Sequence, residues 1–545
     1  MDVIRQITSE IEVVDGVRLL DVDPGAATNR TVVTFAGDPE AVLEAAFRSI
    51  SKASELIDMS KHSGEHPRFG ATDVCPLVPI SGVTMQEAVD YAHRLAARLG
   101  YETGLTVYCY ENAATTPARR NLADVRAGEY QGLAEKLADP EWKPDFGPSD
   151  FNPKTGATAV GARDFLVAYN VNLNTTSTRR ANAVAFDVRE KGRIKRENDP
   201  LTGPVVRNDD GEPVWTPGPL KSVKAIGWYI AEYGIAQISM NLTNISVTPI
   251  HVAFDECVER ARDRGVRVTG SELVGLVPLE AMLNAGRYFL KKQQRSTGVS
   301  DSELIKIAVK SMGLDELGEF NPKKKIIEFV LADDADAGLL DLSFRGFVEE
   351  TASESPAPGG GSVSAALGAL GAGLGTMVAN LSAHRRGWDE RWEEFSDWAD
   401  KGKSATEELL RLVDEDTAAF NEILSAHKLP NGTELEVFTR SDAIAAATTR
   451  AIEVPIQVMV KSVESMAIIK AMAEIGQETS ASDAGVAALC ARGAVRGAYL
   501  NVRINVKDLD DPAAVNDFLR RGENLVSQAE ALETEILELV EKNLQ

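Results

Sequence analysis

Asp333-Asp334-Ala335-Asp336-Ala337-Gly338 divides the chain into two kinds of pattern, and the fold follows from what lies on either side. Three closely spaced carboxylates repel one another and glycine resists regular structure, so the stretch reads as a linker. Upstream, short apolar runs alternate with amphipathic segments: 19–23, 31–35, a helix near 39–59, a strand at 74–79, a helix opened by the capping box of Thr84 and Glu87, and 105–110. That order is α/β or α+β. A second unit of the same kind runs from about 165 to 330. It holds a strand at 165–170, a polar insertion at 190–219, a hairpin from 226–230 and 235–240, a helix over 247–264, and strand and turn at 270–278. Downstream, nearly everything has helical periodicity. The scheme is a first α/β unit over 1–164, a second over 165–330, a linker at 331–338 and an all-α domain over 339–545.

Composition narrows the functions open to such a chain. With 82 acidic against 58 basic side chains the formal charge is -24, a long-range field that repels nucleic acid and anionic membranes. Cys75, Cys109, Cys257 and Cys490 lie far apart with no C-x-x-C pair, which fits reduced cytoplasmic thiols better than a disulfide framework or a zinc knuckle. The N-terminus lacks the basic and apolar regions of a secretory signal. Residues 362–382 carry no charge over a length near the ~20 residues of a membrane span. Alanine, glycine and serine dominate them, however, which suits a helix packed closely against protein rather than lipid.

Four places have the residue types of a reactive site. Gly64-Glu65-His66-Pro67-Arg68-Phe69-Gly70 sets an imidazole between a carboxylate and a guanidinium where glycine and proline prevent continuous helix. His66 should therefore sit on a loop ahead of the 74–79 strand, either as a catalytic group or as a turn residue satisfying the backbone. Residues 143–163, crowded with glycine and proline, read as one long functional loop. In the helical part, Pro356-Ala357-Pro358-Gly359-Gly360-Gly361-Ser362 opens the small-residue helix, whose first N–H groups can receive an anion unless the glycines merely permit a helix crossing. Further on, the 3.6-residue period places Asp416 within an apolar stripe of Leu409, Leu412, Val413, Phe420 and Ile423, with Asp414 and Glu415 to its sides. A carboxylate on a buried face has a raised pKa, which suits proton relay near neutrality, although a structural bond to a neighbouring helix explains the position equally well.

The chain resembles formimidoyltransferase-cyclodeaminases, the bifunctional folate enzymes of histidine degradation, over essentially its whole length. The matching elements are 19–23 (Leu-Leu-Asp-Val-Asp), 28–32 (Thr-Asn-Arg-Thr-Val), 64–68 (Gly-Glu-His-Pro-Arg), 73–76 (Asp-Val-Cys-Pro), 126–130 (Arg-Ala-Gly-Glu-Tyr), 145–149 (Asp-Phe-Gly-Pro-Ser) and 156–159 (Gly-Ala-Thr-Ala). The second unit adds 227–229 (Gly-Trp-Tyr) and 273–279 (Leu-Val-Gly-Leu-Val-Pro-Leu). The helical part adds 357–363 (Ala-Pro-Gly-Gly-Gly-Ser-Val), Val413-Asp414-x-Asp416, Ser482-Asp483 and the Gly-Ala-Tyr-x-Asn-Val-x-Ile-Asn run over 497–505.

The resemblance implies two formimidoyltransferase subdomains of α/β, sandwich-like build followed by an all-α cyclodeaminase domain. It implies transfer of the formimino group from N-formimino-L-glutamate to tetrahydrofolate, then closure of 5-formimino-tetrahydrofolate to 5,10-methenyl-tetrahydrofolate with loss of ammonia. His66 and Asp23 match the family's transferase residues, and Gly147-Pro148-Ser149-Asp150-Phe151-Asn152-Pro153-Lys154-Thr155-Gly156 match its folate-contacting loop. Arg68 is expected to neutralise a substrate carboxylate, or else to pair with Glu65 or Asp73. Asp416 matches the cyclodeaminase aspartate, with Gly359, Gly360, Gly361 and Ser362 lining that folate site. Tetrahydrofolate is the co-substrate, including polyglutamylated forms, for which Lys221, Lys224, Lys323, Lys324, Lys325, Arg385 and Arg386 are candidate contacts. No metal is expected, no nucleic acid and no membrane span. The family further implies a cytoplasmic, ring-like homo-oligomer built from dimers.

Two departures from the family pattern bear on these expectations. Family members begin with an extra strand, a Cys-Val-Pro-Asn-Phe-Ser-Glu-Gly-like segment, whereas this chain starts inside the following helix, which suggests a mis-assigned start. Leu429-Pro430-Asn431 stands where the family carries a lysine after the proline, leaving Lys428 or Arg440 as substitutes. The alternatives to a bifunctional enzyme are a folate-binding or assembly subunit without transfer, and a helical part acting as a methenyl-tetrahydrofolate cyclohydrolase.

Overall fold

The computed structural model describes residues 2–25, 29–62, 68–198, 202–332, 338–355 and 357–544. His66, Glu65 and the core of the 333–338 linker therefore lie outside the described residues, as do Thr28 and Pro356. The chain divides into two compact units, one of residues 1–282 and 312–334, the other of 283–311 and 335–545. The stretch 283–311, which lies in sequence within the second α/β unit, is thus grouped with the helical residues. Its bonds explain why: Thr297 N–H donates to Ser396 Oγ (3.1 Å), its hydroxyl to Asp400 (2.7 Å), and Asn380 Nδ2 to the Gly298 carbonyl (2.7 Å).

The first unit opens with α1 (Asp2–Glu12), the antiparallel hairpin of β1 (Val17–Gly25) and β2 (Arg30–Gly37), and α2 (Pro39–Leu56). A parallel three-stranded sheet follows in the order β3 (Val74–Leu77), β5 (Ala157–Ala162), β4 (Thr106–Glu111). α3 (Met85–Arg98), begun by the predicted capping box, packs on one face with Leu95, Val107 and Val160 in the core. Phe69, Tyr108, Val125 and Leu133 cover the other face, around α4 (Leu122–Val125) and α5 (Leu133–Ala138). β5 corrects the sequence reading, which made all of 143–163 a loop. Every one of its residues is buried, and a side-chain carbon on Gly161 would lie 2.6 Å from the Tyr110 ring. Between two covered faces only alanine, glycine, threonine and valine fit, and glycine and alanine mask a strand's usual signature.

The rest of this unit is an antiparallel sheet ordered β11 (Val268–Val274), β6 (Val167–Leu173), β10 (Ile235–Leu242), β9 (Val223–Ile230). β9 and β10 form the predicted hairpin, and α6 (Thr178–Val188) and α7 (Ile250–Asp263) cover one face. The short pair β7 (Arg193–Ile194) and β8 (Trp215–Thr216) occupies the polar insertion. α8 (Leu279–Lys292) and α9 (Asp301–Met312) each run across the boundary between the units, and α10 (Pro322–Lys325) and α11 (Ile327–Ala332) close the first.

Beyond 283–311, the helical unit continues with α12 (Phe344–Thr351) and five long helices: α13 (Gly360–Ala383), α14 (Trp392–His427), α15 (Glu434–Ile475), α16 (Ala481–Asn505) and α17 (Pro512–Leu544). α13 is the uncharged segment long enough for a bilayer, and most of it is buried inside the unit. Its glycines and alanines explain the fit: a carbon added at Gly371 would lie 2.9 Å from the Ala487 carbonyl, and one at Gly402 on α14 2.2 Å from Thr376 Oγ1. Small residues let the backbones approach, and the core of Leu409, Leu412, Ile452, Met459 and Met466 fills the remainder.

Candidate active sites

In the first unit, three pieces of chain meet beside the described flanks of 63–67. The hairpin brings Asp23, paired across the ladder with Val32 and exposed, towards the end where its two strands are joined, where Asn29 Nδ2 lies 3.2 Å from His62 Nδ1. Asp58 opens the turn at Met59–Lys61, accepting from the Ser60 hydroxyl (2.6 Å) and pairing with Lys61 (2.9 Å), bonds that hold its carboxyl down at about 2.

The third piece is the stretch from Asp145 to Gly156. Asp145 is buried in an ion pair with Arg119 (2.5 Å) and accepts from Cys109 N–H (2.8 Å) and the Thr115 hydroxyl. The stretch then exposes Gly147 to Asp150 and Asn152 to Lys154. It is fixed along its length: Thr106 donates to the Pro148 carbonyl (2.9 Å), Tyr130 OH to that of Pro153 (2.5 Å), and Lys154 Nζ to that of Glu55 (2.8 Å). Thr155 and Gly156 are buried under 69–71, where Ala71 N–H meets the Thr155 carbonyl (2.8 Å) and Gly70 bridges Gly156. Glycine is required on both sides of that bridge. A side-chain carbon on Gly70 would lie 2.2 Å from the Ala157 carbonyl, and one on Gly156, whose φ is +64°, 2.4 Å from that of Phe69.

Of the two pairings open to Arg68, the one with Asp73 is not formed. Arg68 donates to the His62 carbonyl and at 3.4 Å to that of Met59, and stacks over Tyr130 at 5.2 Å, while Asp73 pairs with Arg126 (2.7 Å). Arg68 therefore ties the two flanks of 63–67 together. Of the candidate polyglutamate contacts, Lys325 is occupied with the Leu273 and Gly275 carbonyls, and Arg385 lies over the Trp388 ring at 4.3 Å. Lys224 is exposed on β9.

The site in the helical unit is built on the first turn of α13. Ser362 is buried and donates both its N–H (2.8 Å) and its hydroxyl (3.0 Å) to Asp416 Oδ2, while its hydroxyl also meets Thr417 Oγ1 at 3.3 Å. The Asp416 carboxylate lies where a side chain at 361 would be, since a carbon there would fall 2.0 Å from Oδ1 and 2.6 Å from Oδ2. Only glycine admits it. The anion expected at this helix N-terminus is thus, in part, the protein's own carboxylate, which satisfies one of the first-turn donors. Burial pushes the Asp416 carboxyl above its ordinary range, against the two Ser362 bonds that favour ionisation. Oδ1 has no hydrogen-bond partner among the described residues. The arrangement is an oriented carboxylate with one oxygen fixed and the other able to exchange a proton.

The neighbours of Asp416 sort as the helical period predicts, with one exception. Leu409, Leu412 and Val413 are buried, Asp414 accepts from Leu339 N–H (2.8 Å), and Glu415 pairs with Arg411. Phe420, expected in the stripe, is 38% exposed, whereas Ala419 is buried in the core and Ile423 packs against it, so past Asp416 the buried face runs through 419 and 423. Arg440, a suggested substitute for the family lysine, is spent on the His427 carbonyl (3.1 Å) at the end of α14. The pairing of Ser362 with Asp416 was not legible in sequence, because it spans 54 positions.

Comparison with known proteins follows the same division. Residues 1–163 match the formiminotransferase domain, N-terminal subdomain; 168–332 match the formiminotransferase domain; and 343–524 match the formiminotransferase-cyclodeaminase family. The formimidoyltransferase-cyclodeaminase of Mus musculus is 42% identical over 97% of this chain and 94% of its own length. The glutamate formimidoyltransferase of Streptococcus pyogenes serotype M1 is 40% identical over 53% of this chain and 88% of its own. The methenyltetrahydrofolate cyclohydrolase of Methylorubrum extorquens is 34% identical over 36% of this chain and 95% of its own.

Proposed function

The chain belongs to the formimidoyltransferase-cyclodeaminase family, and on that footing we propose that it carries out both folate reactions on one polypeptide. In the first, N5 of tetrahydrofolate attacks the amidine carbon of N-formimino-L-glutamate, the new N–C bond forms, and the bond from that carbon to the glutamate nitrogen breaks. His66 removes the proton from N5 and returns it to the departing amine, giving 5-formimino-tetrahydrofolate and glutamate. The exposed arc from Gly147 to Lys154 holds the folate, and Asp23 supports the imidazole or the cationic amidine. In the second, N10 attacks the carbon of the protonated, cationic formimino group, Asp416 Oδ1 carries the N10 proton to its nitrogen, and ammonia leaves as the 5,10-methenyl cation forms. The one-carbon chemistry resides in the folate itself.

The observation that carries this reading is the Asp416 carboxylate, half-buried, raised in pKa and fixed through one oxygen at a helix start. We further infer a cytoplasmic homo-oligomer acting on polyglutamylated folate. Exposed Val363, Leu370 and Met377, spaced seven residues apart along α13, support self-association. The test supplies formiminoglutamate and tetrahydrofolate to the full chain. His66→Ala is expected to stop transfer while leaving ring closure of added 5-formimino-tetrahydrofolate intact. Asp416→Asn is expected to let that intermediate accumulate, with ring closure slowed on the order of 10²–10⁴-fold. Loss of both steps in either variant would refute the division of labour. The likeness of the helical unit to a cyclohydrolase favours one second reading, hydrolysis of the methenyl product, which a comparison of the two rates on the same sample decides.

A further inference from the structure

Asn501 stands on the other flank of the α13 start from Asp416, and nothing above gives it a role. α16 brings it there: a side-chain carbon on Gly360 would lie 3.2 Å from Asn501 Nδ2 and 3.4 Å from its Oδ1, just as one on Gly361 would fall upon the Asp416 carboxylate. Successive helix positions point about 100° apart, so amide and carboxylate overlook adjacent sides of the same first turn. Exposed Gly360 lies between them as a floor without a side chain.

The bonding of this amide is incomplete. Asn501 is half-buried and gives one N–H to the Gly497 carbonyl one turn back (3.0 Å), while its Oδ1 and second N–H have no partner among the described residues. The N–H groups of Gly360 and Gly361 likewise have no acceptor among the described residues. A ligand covering this turn strips water from a donor and an acceptor of the carboxamide together, and gains affinity only by replacing both.

We propose that Asn501 is a substrate-binding residue of the ring-closing site, its carboxamide pairing with the lactam edge of the pteridine of a reduced folate. That edge offers a ring N–H beside a carbonyl in one plane, the complement of an amide's acceptor and donor. Such pairing fixes the pteridine so that N10 and the formimino carbon come to Asp416 Oδ1. The proposal rests on the assignment of ring closure to the helical unit, and the experiment separates the two.

Full-length protein is given 5-formimino-tetrahydrofolate, and formation of the methenyl product is followed in Asn501→Ala, Asn501→Asp and Asp416→Asn. Asn501→Asp keeps the size of the side chain against Gly360, so it controls for lost helix packing. Both Asn501 variants are expected to raise KM about ten-fold with kcat within about two-fold of the parent, the loss expected for one or two hydrogen bonds to substrate. Asp416→Asn is expected to lose kcat instead. Unchanged KM in Asn501→Asp, or a fall in kcat alone, overturns the role of Asn501. Full ring-closing activity in Asp416→Asn overturns the underlying assignment.

Discussion

The two candidate sites are held in place in opposite ways. In the first unit the functional stretch is loop, and order is imposed by backbone bonding: Gly70 against Gly156, Ala71 against Thr155, and Asp145 locked to Arg119 at its head. In the helical unit the group is a side chain projecting from the middle of a 36-residue helix, α14, into the first turn of another. The difference follows from the chemistry each must provide. An imidazole titrates near neutrality without help, so a histidine can work from a loop. A carboxyl has to be desolvated to approach the same range, and desolvation takes the packed interior that a bundle provides.

The sharpest way to break this comparison is at Gly361. Because a β-carbon there would sit 2.0 Å from Asp416 Oδ1, Gly361→Ala cannot retain the observed carboxylate position. Ring closure is expected to fall at least about 1000-fold, at the upper end of what general acid–base catalysis contributes, while transfer persists. A variant that closes the ring at the parental rate would show that the carboxylate works from some other position.

How much of this was legible in sequence depended on how local the cause was. The hairpin of β9 and β10 and the Thr84–Glu87 capping box are local, and both could be read directly, although the strand read as 226–230 begins at Val223. The helical period found Asp416, because buried and polar positions recur along one element. It failed at Phe420, beside which Ala419 and Ile423 meet the core instead, and the loop reading failed at β5, whose alanines and glycine are set by neighbours on both faces. The bond of Ser362 to Asp416, the placement of Asn501 beside Gly360 and the engagement of Arg68 with the Met59 carbonyl depend on contacts across elements, so no local pattern could disclose them.

A smaller effect is expected on the loop side. Gly156→Ala must hold φ near +64° with a methyl group 2.4 Å from the Phe69 carbonyl. Left-handed backbone costs an ordinary residue about 1–2 kcal/mol before the clash is relieved, so a loss of about 2–4 kcal/mol in the first unit is expected. Calorimetry should show an earlier unfolding step, and transfer should decline with it, whereas ring closure from supplied 5-formimino-tetrahydrofolate should be nearly unaffected. An unshifted melting profile would mean that the bridge between Gly70 and Gly156 does not hold the folate stretch in place.

The smallest expected effect is a shift rather than a loss. The Ser362 hydroxyl donates to Asp416 Oδ2 and favours the ionised carboxyl, opposing the burial that raises its pKa. Ser362→Ala removes that bond and leaves the backbone N–H, so the carboxyl should become harder to ionise. If Asp416 must be ionised to take the N10 proton, activity is lost as pH falls through its pKa. The acid limb of kcat should therefore move to higher pH, by about one unit for a bond worth roughly 1.4 kcal/mol, with the plateau nearly unchanged. A serine that merely contacted folate would raise KM and leave the limb where it was. The pH profile thus separates orientation of the carboxylate from contact with the ligand, two roles that the position of Ser362 within Gly359-Gly360-Gly361-Ser362 makes indistinguishable in sequence.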